Sequence, residues 1–172
     1  MDMKTSEKVH EIGYLLKDAK IIVNQDLNFD VADIKVESKQ GEMMNLPRWV
    51  GQILEENGLG DLDSPDMITE LKQALSKEKM IGEYQVSTLM PDFYIKLRAS
   101  MKKLDRHDFD NVESVLLELF RMRRGKIVKL ADSSKLTAEL NSKLTVEEKM
   151  FFESISENSK QFERQIRGDA DE

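Results

Sequence analysis

The sequence predicts a mainly α protein: a C-terminal helical bundle preceded by a small α/β module of short strands plus a covering helix. Three observations predict it. Residues 110–131, DNVESVLLELFRMRRGKIVKLA, form the longest uninterrupted helical pattern, with no proline and one late glycine, Gly125. The first sixty residues hold short β-branched runs that roughly alternate apolar with polar, which is a strand period. The three prolines, Pro47, Pro65 and Pro91, each stand where a helical pattern begins, the place where a missing N–H costs least. The predicted division is residues 1–60 for the small module and 61–172 for the bundle.

In residues 110–131, Val112, Val115, Leu116, Leu119, Phe120, Met122, Ile127 and Leu130 recur at spacings of three and four. That spacing makes a broad apolar stripe that must be buried against other helices. A helix of about twenty-two residues runs roughly 33 Å, the width of a small domain, so this one is read as the central helix. Arg121, Arg123, Arg124, Lys126 and Lys129 crowd its second half, which suits the negative end of a helix dipole.

In chain order, residues 4–19 place Val9, Ile12, Leu16 and Ala19 on one face of a short helix. Residues 20–23 and 31–37 read as strands, and Met43 with Met44 starts a third. Between them residues 38–42 form a turn, with Gly41 available for a positive φ. Pro47 near the start and Asn57-Gly58 at the end frame a helix whose face carries Trp49, Val50, Ile53 and Leu54. Trp49 is the only tryptophan and is expected to anchor this module's core. Residues 58–64, GLGDLDS, are read as a linker. Ser64 then caps a helix with Met67, Leu71, Ala74 and Leu75 inward, and Asp92 opens another with Phe93, Leu97, Met101 and Leu104. Residues 105–108 read as a polar break, 132–134 as a loop and 136–144 as a weaker helix. Thr145 followed three residues later by Glu148 fits a capping box and launches a last helix with Met150, Phe151, Ile155, Phe162 and Ile166 apolar. The final GDADE is expected to fray.

Composition excludes several classes. There are no cysteines, so disulfides, thiol catalysis and cysteine-ligated metals are out. No apolar run approaches the ~20 residues that span a bilayer, and the N-terminus lacks a signal-peptide pattern; an intracellular protein is expected. The net charge of −7 argues against a dedicated nucleic-acid binder.

Chemistry is sparse. Residues 105–110, DRHDFD, hold the one cluster of potential ligands. The turn glycine and closing glutamate of a calcium loop are missing, and only His10 could add a second histidine. The cluster reads as a solvated inter-helix loop with capping aspartates; the rival reading is a metal-dependent hydrolase at His107 and Asp108. There is no phosphate-binding glycine loop and no nucleophile elbow. No cofactor is expected. The ten methionines suit core gaps and adaptable interfaces alike. Phe120 and Met122 point apart on the central helix, so the bundle is expected to bury surface against another subunit.

These residues resemble a known family. The β-rich module running into LPRWVGQIL (46–54) is similar to the small B domain of GINS subunits. The segments DFY (92–94), LFRMRRGKIVKLA (119–131) and LTVEEKMFF (144–152) are similar to their helical A domain. The resemblance implies a non-enzymatic scaffold in a tetramer, built with another GINS-type subunit or with itself, that joins the MCM helicase to a RecJ-like companion. Module first and bundle second resembles the type of the second and third Psf subunits, in its archaeal form. It also implies a cytoplasmic, nucleoid-associated location, no membrane and weak or no direct DNA binding. The basic run and the Leu-Thr-x-Glu-Glu start resemble the other subunit type as well.

The interface residues expected on this reading are Arg121, Arg124, Phe120, Met122 and Trp49. Arg121 and Arg124 share one side of the helix, and Arg123 and Lys126 another. Arg121 and Arg124 are expected to tie the bundle or its subunit contact, with Glu147, Glu148 and Glu153 as available acids. The alternative is a nucleic-acid-binding adaptor using the basic helix 121–129.

Overall fold

The computed structural model describes residues 3–168. Of the final GDADE expected to fray, Gly168 is the C-cap of the last helix, and residues 169–172 lie outside the described residues. The chain divides into two compact units, Met1–Pro65 and Asp66–Glu172. Among the described residues the order is α1 (Met3–Leu16), β1 (Asp18–Val23), β2 (Leu27–Val31), β3 (Ile34–Ser38), β4 (Met43–Pro47), α2 (Arg48–Glu56), β5 (Gly60–Leu62), α3 (Met67–Met80), α4 (Phe93–Met101), α5 (Arg106–Ser133), α6 (Ala138–Lys143) and α7 (Val146–Arg167). The architecture is mainly α, with a helical C-terminal unit after a small unit of strands and helices.

In the first unit β1 pairs antiparallel with β4 on one side and β5 on the other, and β2 pairs with β3 as a separate hairpin. Alternate β1 residues, Ile21 and Val23, turn inward and meet Leu27, Val36, Leu46, Val50 and Leu54 in one core. Helix α2 lies tight on the sheet: a Cβ at Gly51 would come within 2.7 Å of the Leu62 side chain and 2.8 Å of Ile21. Val50 and Leu54 are buried as expected, whereas Trp49 is half-buried at the edge of this core and Ile53 is exposed. Trp49 therefore flanks the core, which is anchored by Ile21, Val50 and Leu54.

Three expectations for this unit change. Residues 31–37 are the two arms of a hairpin, because Ala32 and Asp33 take φ of 45° and 66° and turn the chain. Such two-residue turns ordinarily carry Asn-Gly or Asp-Gly, and Ala32-Asp33 carries no such signal. The stretch read as a linker contains β5, hydrogen-bonded to β1. The α1 face of Val9, Ile12 and Leu16 is exposed, and Ala19 belongs to β1. Helix α1 is instead fastened by buried Tyr14, under the Arg48 guanidinium at 4.5 Å.

In the second unit α3 starts two residues past the expected cap: the Asp66 carboxylate, not Ser64, accepts from the Ile68 and Thr69 amides. The α3 stripe of Met67, Leu71, Ala74 and Leu75 packs with Phe93, Leu97 and Met101 of α4 and with Val112 and Leu119 of α5. Helix α5 begins earlier and ends later than its sequence pattern suggested. Asp105 caps it through the Asp108 amide, so the supposed polar break is its first turn. A second core joins Ile127 and Ala131 of α5 with Val86, Leu144 and Phe152. The capping box at α7 forms as expected, with Thr145 and Glu148 bonding reciprocally. Phe162 and Ile166, by contrast, are exposed.

Candidate functional site

Midway along α5, between the two apolar cores, lies a polar layer. Leu119 belongs to the first core and Ile127 to the second, and one helical turn from each stands Arg123. It is 1% exposed, and Glu78 of α3 is fully buried. The Arg123 guanidinium holds the Glu148 carboxylate with both forks, Nε to Oε1 at 2.6 Å and Nη2 to Oε2 at 2.7 Å. Its Nη1 donates to Glu78 Oε2 and to the Ser87 carbonyl, each at 2.8 Å. Lys126 Nζ reaches Glu78 Oε1 at 2.8 Å and also donates to the Glu78 carbonyl. The Ser87 hydroxyl donates to Glu78, and the Tyr94 hydroxyl donates to Glu148 at 2.9 Å. Two carboxylates thus face one guanidinium and one ammonium, and the formal charge of the layer is zero.

The burial of these groups shapes their ionisation. Burial pushes the Glu78 carboxyl up, but hydrogen bonds from Lys126 and Ser87 and the charge of Arg123 outweigh it and hold the group below its ordinary value. Burial pushes the Tyr94 hydroxyl up, and the neighbouring Glu148 charge adds to it. Burial disfavours the Arg123 cation, yet the bond and charge of Glu148 keep its pKa above the ordinary one. The layer also fastens residues 81–92, a connection without regular structure. Lys126 holds the Ile81 carbonyl, Glu78 accepts from the Ser87 amide, and the Leu89 amide donates to Lys143.

The bundle's internal tie is therefore Arg123 with Lys126, the other side of the helix from the expected pair. Arg121 and Arg124 are exposed, and Arg124 lies over the Phe120 ring at 5.4 Å. Of the acids expected to meet a basic residue, Glu148 does so in the core, and Glu147 approaches Arg98 at 3.9 Å. Phe120 is 46% exposed, with Leu117 at 44% and Val128 at 38% on the same outer face of α5. Met122 packs half-buried against the first core, so it points into the bundle. Of the five basic residues in 121–129, two are buried in the layer and Lys129 pairs with Glu83; Arg121 and Arg124 are exposed outside the layer.

His107 sits exposed in the first turn of α5, with Nδ1 3.5 Å from Asp108 and 3.3 Å from the Asn111 amide. Among the described residues no group of three or more His, Asp or Glu is arranged to hold a metal, and no helix is long and apolar enough to cross a membrane. The residues that sequence reasoning missed are Glu78, Ser87, Tyr94 and Arg123 in its buried role. Two of them carried a signal: Arg123 is four residues from both Leu119 and Ile127, and Glu78 continues the Met67–Leu71–Ala74 stripe.

Helix α5 is thus locked in the bundle by a charge-neutral buried layer and keeps an apolar and basic face outside. Residues 52–167, about two thirds of the chain, match the family model of the GINS complex protein helical bundle domain, Sld5. The chain belongs to the GINS family: it is a replication scaffold subunit that partners with other GINS subunits, in a family whose proteins are non-enzymatic. Comparison with curated proteins finds no match.

Proposed function

We propose that this chain is one subunit type of a GINS tetramer that joins the MCM helicase to a RecJ-like companion at the replication fork. The observation that carries the reading is the family match over residues 52–167. The subunit is of the type that places the small unit before the bundle, similar to the second and third Psf subunits, in an archaeal cell. The buried layer keeps α5 rigid. Its outer face, with Phe120, Arg121 and Arg124, meets another GINS subunit, and half-buried Met122 and Trp49 border the contacts. Arginine suits such a face because its planar fork can take a carboxylate with two hydrogen bonds. Direct DNA contact is weak or absent, since only two of the basic residues on 121–129 are left to meet phosphates. The two units act as separate domains, the first free to dock on a neighbour.

Co-expression with candidate GINS subunits, followed by mass measurement and capture of purified MCM helicase and RecJ-like protein, tests the reading. The expected result is a complex of four GINS chains that retains both partners. A chain that stays a 20 kDa monomer beside every GINS partner would sink it, as would a tetramer that ignores both proteins.

A further inference from the structure

Helix α1 lies outside the stretch that matches the GINS model, and it turns its apolar stripe away from the unit that holds it. Val9, Ile12 and Leu16 are 56%, 57% and 62% exposed. With exposed Thr5 they follow a spacing of four, three and four, the seam along which two helices interlock. At 100° per residue the four fall within about 60° of one another. Buried Tyr14 stands on the opposite side, under the Arg48 guanidinium. The first unit therefore grips α1 by one side and leaves the stripe to water. An apolar stripe on a helix is ordinarily the side that is buried.

Two further features of this face describe its cover. Gly13 is exposed and lies about 40° beyond Val9. Glycine inside a helix destabilises it relative to alanine. Nothing in this chain requires it: a Cβ there would meet nothing within 4 Å beyond its own helix backbone and chain neighbours. The missing side chain leaves a recess in the face, open to a bulky group from outside. The charges are one-sided as well. Lys8, about 40° beyond Ile12, is exposed and has no ion-pair partner among the described residues. Lys17, just past the helix end, is exposed too. The acids of the helix, Glu7 and Glu11, are half-buried on the Tyr14 side. The face thus holds cations and no carboxylate, in a chain whose net charge is −7.

We propose that this face docks one amphipathic helix of a partner protein outside the GINS assembly, apolar along one stripe and acidic along the edge that meets Lys8. The seam from Thr5 to Leu16 is about three turns, roughly 17 Å, and takes a partner helix of that length. Val9, Ile12 and Leu16 interdigitate with the partner's stripe, and a large apolar side chain seats over Gly13. The carboxylate at Lys8 sets the direction of the incoming helix, as complementary charges at an interface rim do. A second copy of α1 does not meet these terms, because its own face offers Lys8 no acid. The contact is separate from the α5 face assigned above, and it leaves the Tyr14–Arg48 fastening in place.

Two labelled helical peptides with the same leucine seam, one flanked by glutamate and one by lysine, test the proposal by fluorescence anisotropy on the full chain. The glutamate peptide should bind, and the lysine peptide should bind at least tenfold more weakly. Ile12→Glu should abolish binding. Gly13→Leu fills the recess with a better helix former, so it should melt no lower than the parent and still lose the peptide at least tenfold. Lys8→Glu should reverse the preference between the two peptides. No binding of the glutamate peptide, equal binding of both, or binding that survives Ile12→Glu or Gly13→Leu would overturn the proposal. So would self-association of the chain, or its uptake by anionic phospholipid vesicles, if either is lost in Ile12→Glu; the cover would then be a second copy or a lipid surface. If Ile12→Glu fails to assemble with GINS subunits that accept the parent chain, the face belongs to that assembly; the proposal falls and the scaffold reading stands.

Discussion

Arg123 brings a full charge into the bundle and satisfies it with two carboxylates and a backbone carbonyl. Desolvating such groups is costly, so the layer adds little net stability, but removing one member strands the others. Arg123→Ala should therefore cost about 3–5 kcal/mol in urea unfolding. Arg124→Ala in the isolated chain should cost no more than about 1 kcal/mol, because that side chain is exposed. Similar losses for the two variants would contradict the assigned roles. Acid sensitivity follows from Glu78. Its carboxyl is held below its ordinary value of 4.5 in the folded chain. A group shifted down contributes stability above its unfolded pKa and loses it as pH falls through the folded one. Unfolding midpoints should thus hold steady near neutrality and drop below about pH 4.5. Glu78→Gln should be less stable near neutrality and show a shallower acid limb; an unchanged limb would assign the acid sensitivity elsewhere. Both buried charges were legible in register, since each occupies an apolar stripe position. Their partners Ser87 and Tyr94 were not, because no local pattern reports a contact across nine or fifty-four residues.

At the scale of elements, legibility followed the strength of local chemistry. The α7 start was readable because Thr145 and Glu148 are reciprocal caps three residues apart. The α5 start reads as a break although Asp105 and Asp108 are helix-start residues, because no apolar stripe yet marks that turn. Strand β5 reads as a linker because it is three residues long and starts with glycine, so its strand character comes from pairing with β1. The β2–β3 hairpin was hidden by its turn. Left-handed backbone at a residue with a Cβ costs roughly 1–2 kcal/mol, and Ala32-Asp33 places two such residues in sequence. Ala32→Asn with Asp33→Gly should therefore raise the stability of the first unit by about 1 kcal/mol. A thermal melt of the double variant at or below the parent would mean that the turn carries no such strain.

Across the whole molecule, two units of different character are joined where β5 gives way to α3. Because residues 60–62 are held in a sheet, the susceptible stretch is 63–66, four exposed residues without regular structure. Limited proteolysis should cut there and release a folded helical fragment beginning near Asp66. First cleavage at 58–62, or uniform resistance, would contradict the assigned boundary. The exposed α1 face and the outer face of α5 are surfaces that the stripe spacing revealed as apolar but whose burial it could not assign. A stripe states that a face is apolar, not whether its cover comes from the same chain.

Helix ends are ordinarily where a bundle opens first. In α7 the first turn is different, because Glu148 both caps it and receives Arg123. Fraying that turn would pull the carboxylate away and leave Arg123 and Lys126 sharing the single carboxylate of Glu78, one positive charge in excess in the interior. The first amides of α7 are thereby tied to the opening of the whole bundle, and the motion that should be cheapest becomes one of the most costly. A scaffold built this way gives up local breathing at its centre and keeps its outer faces in fixed register.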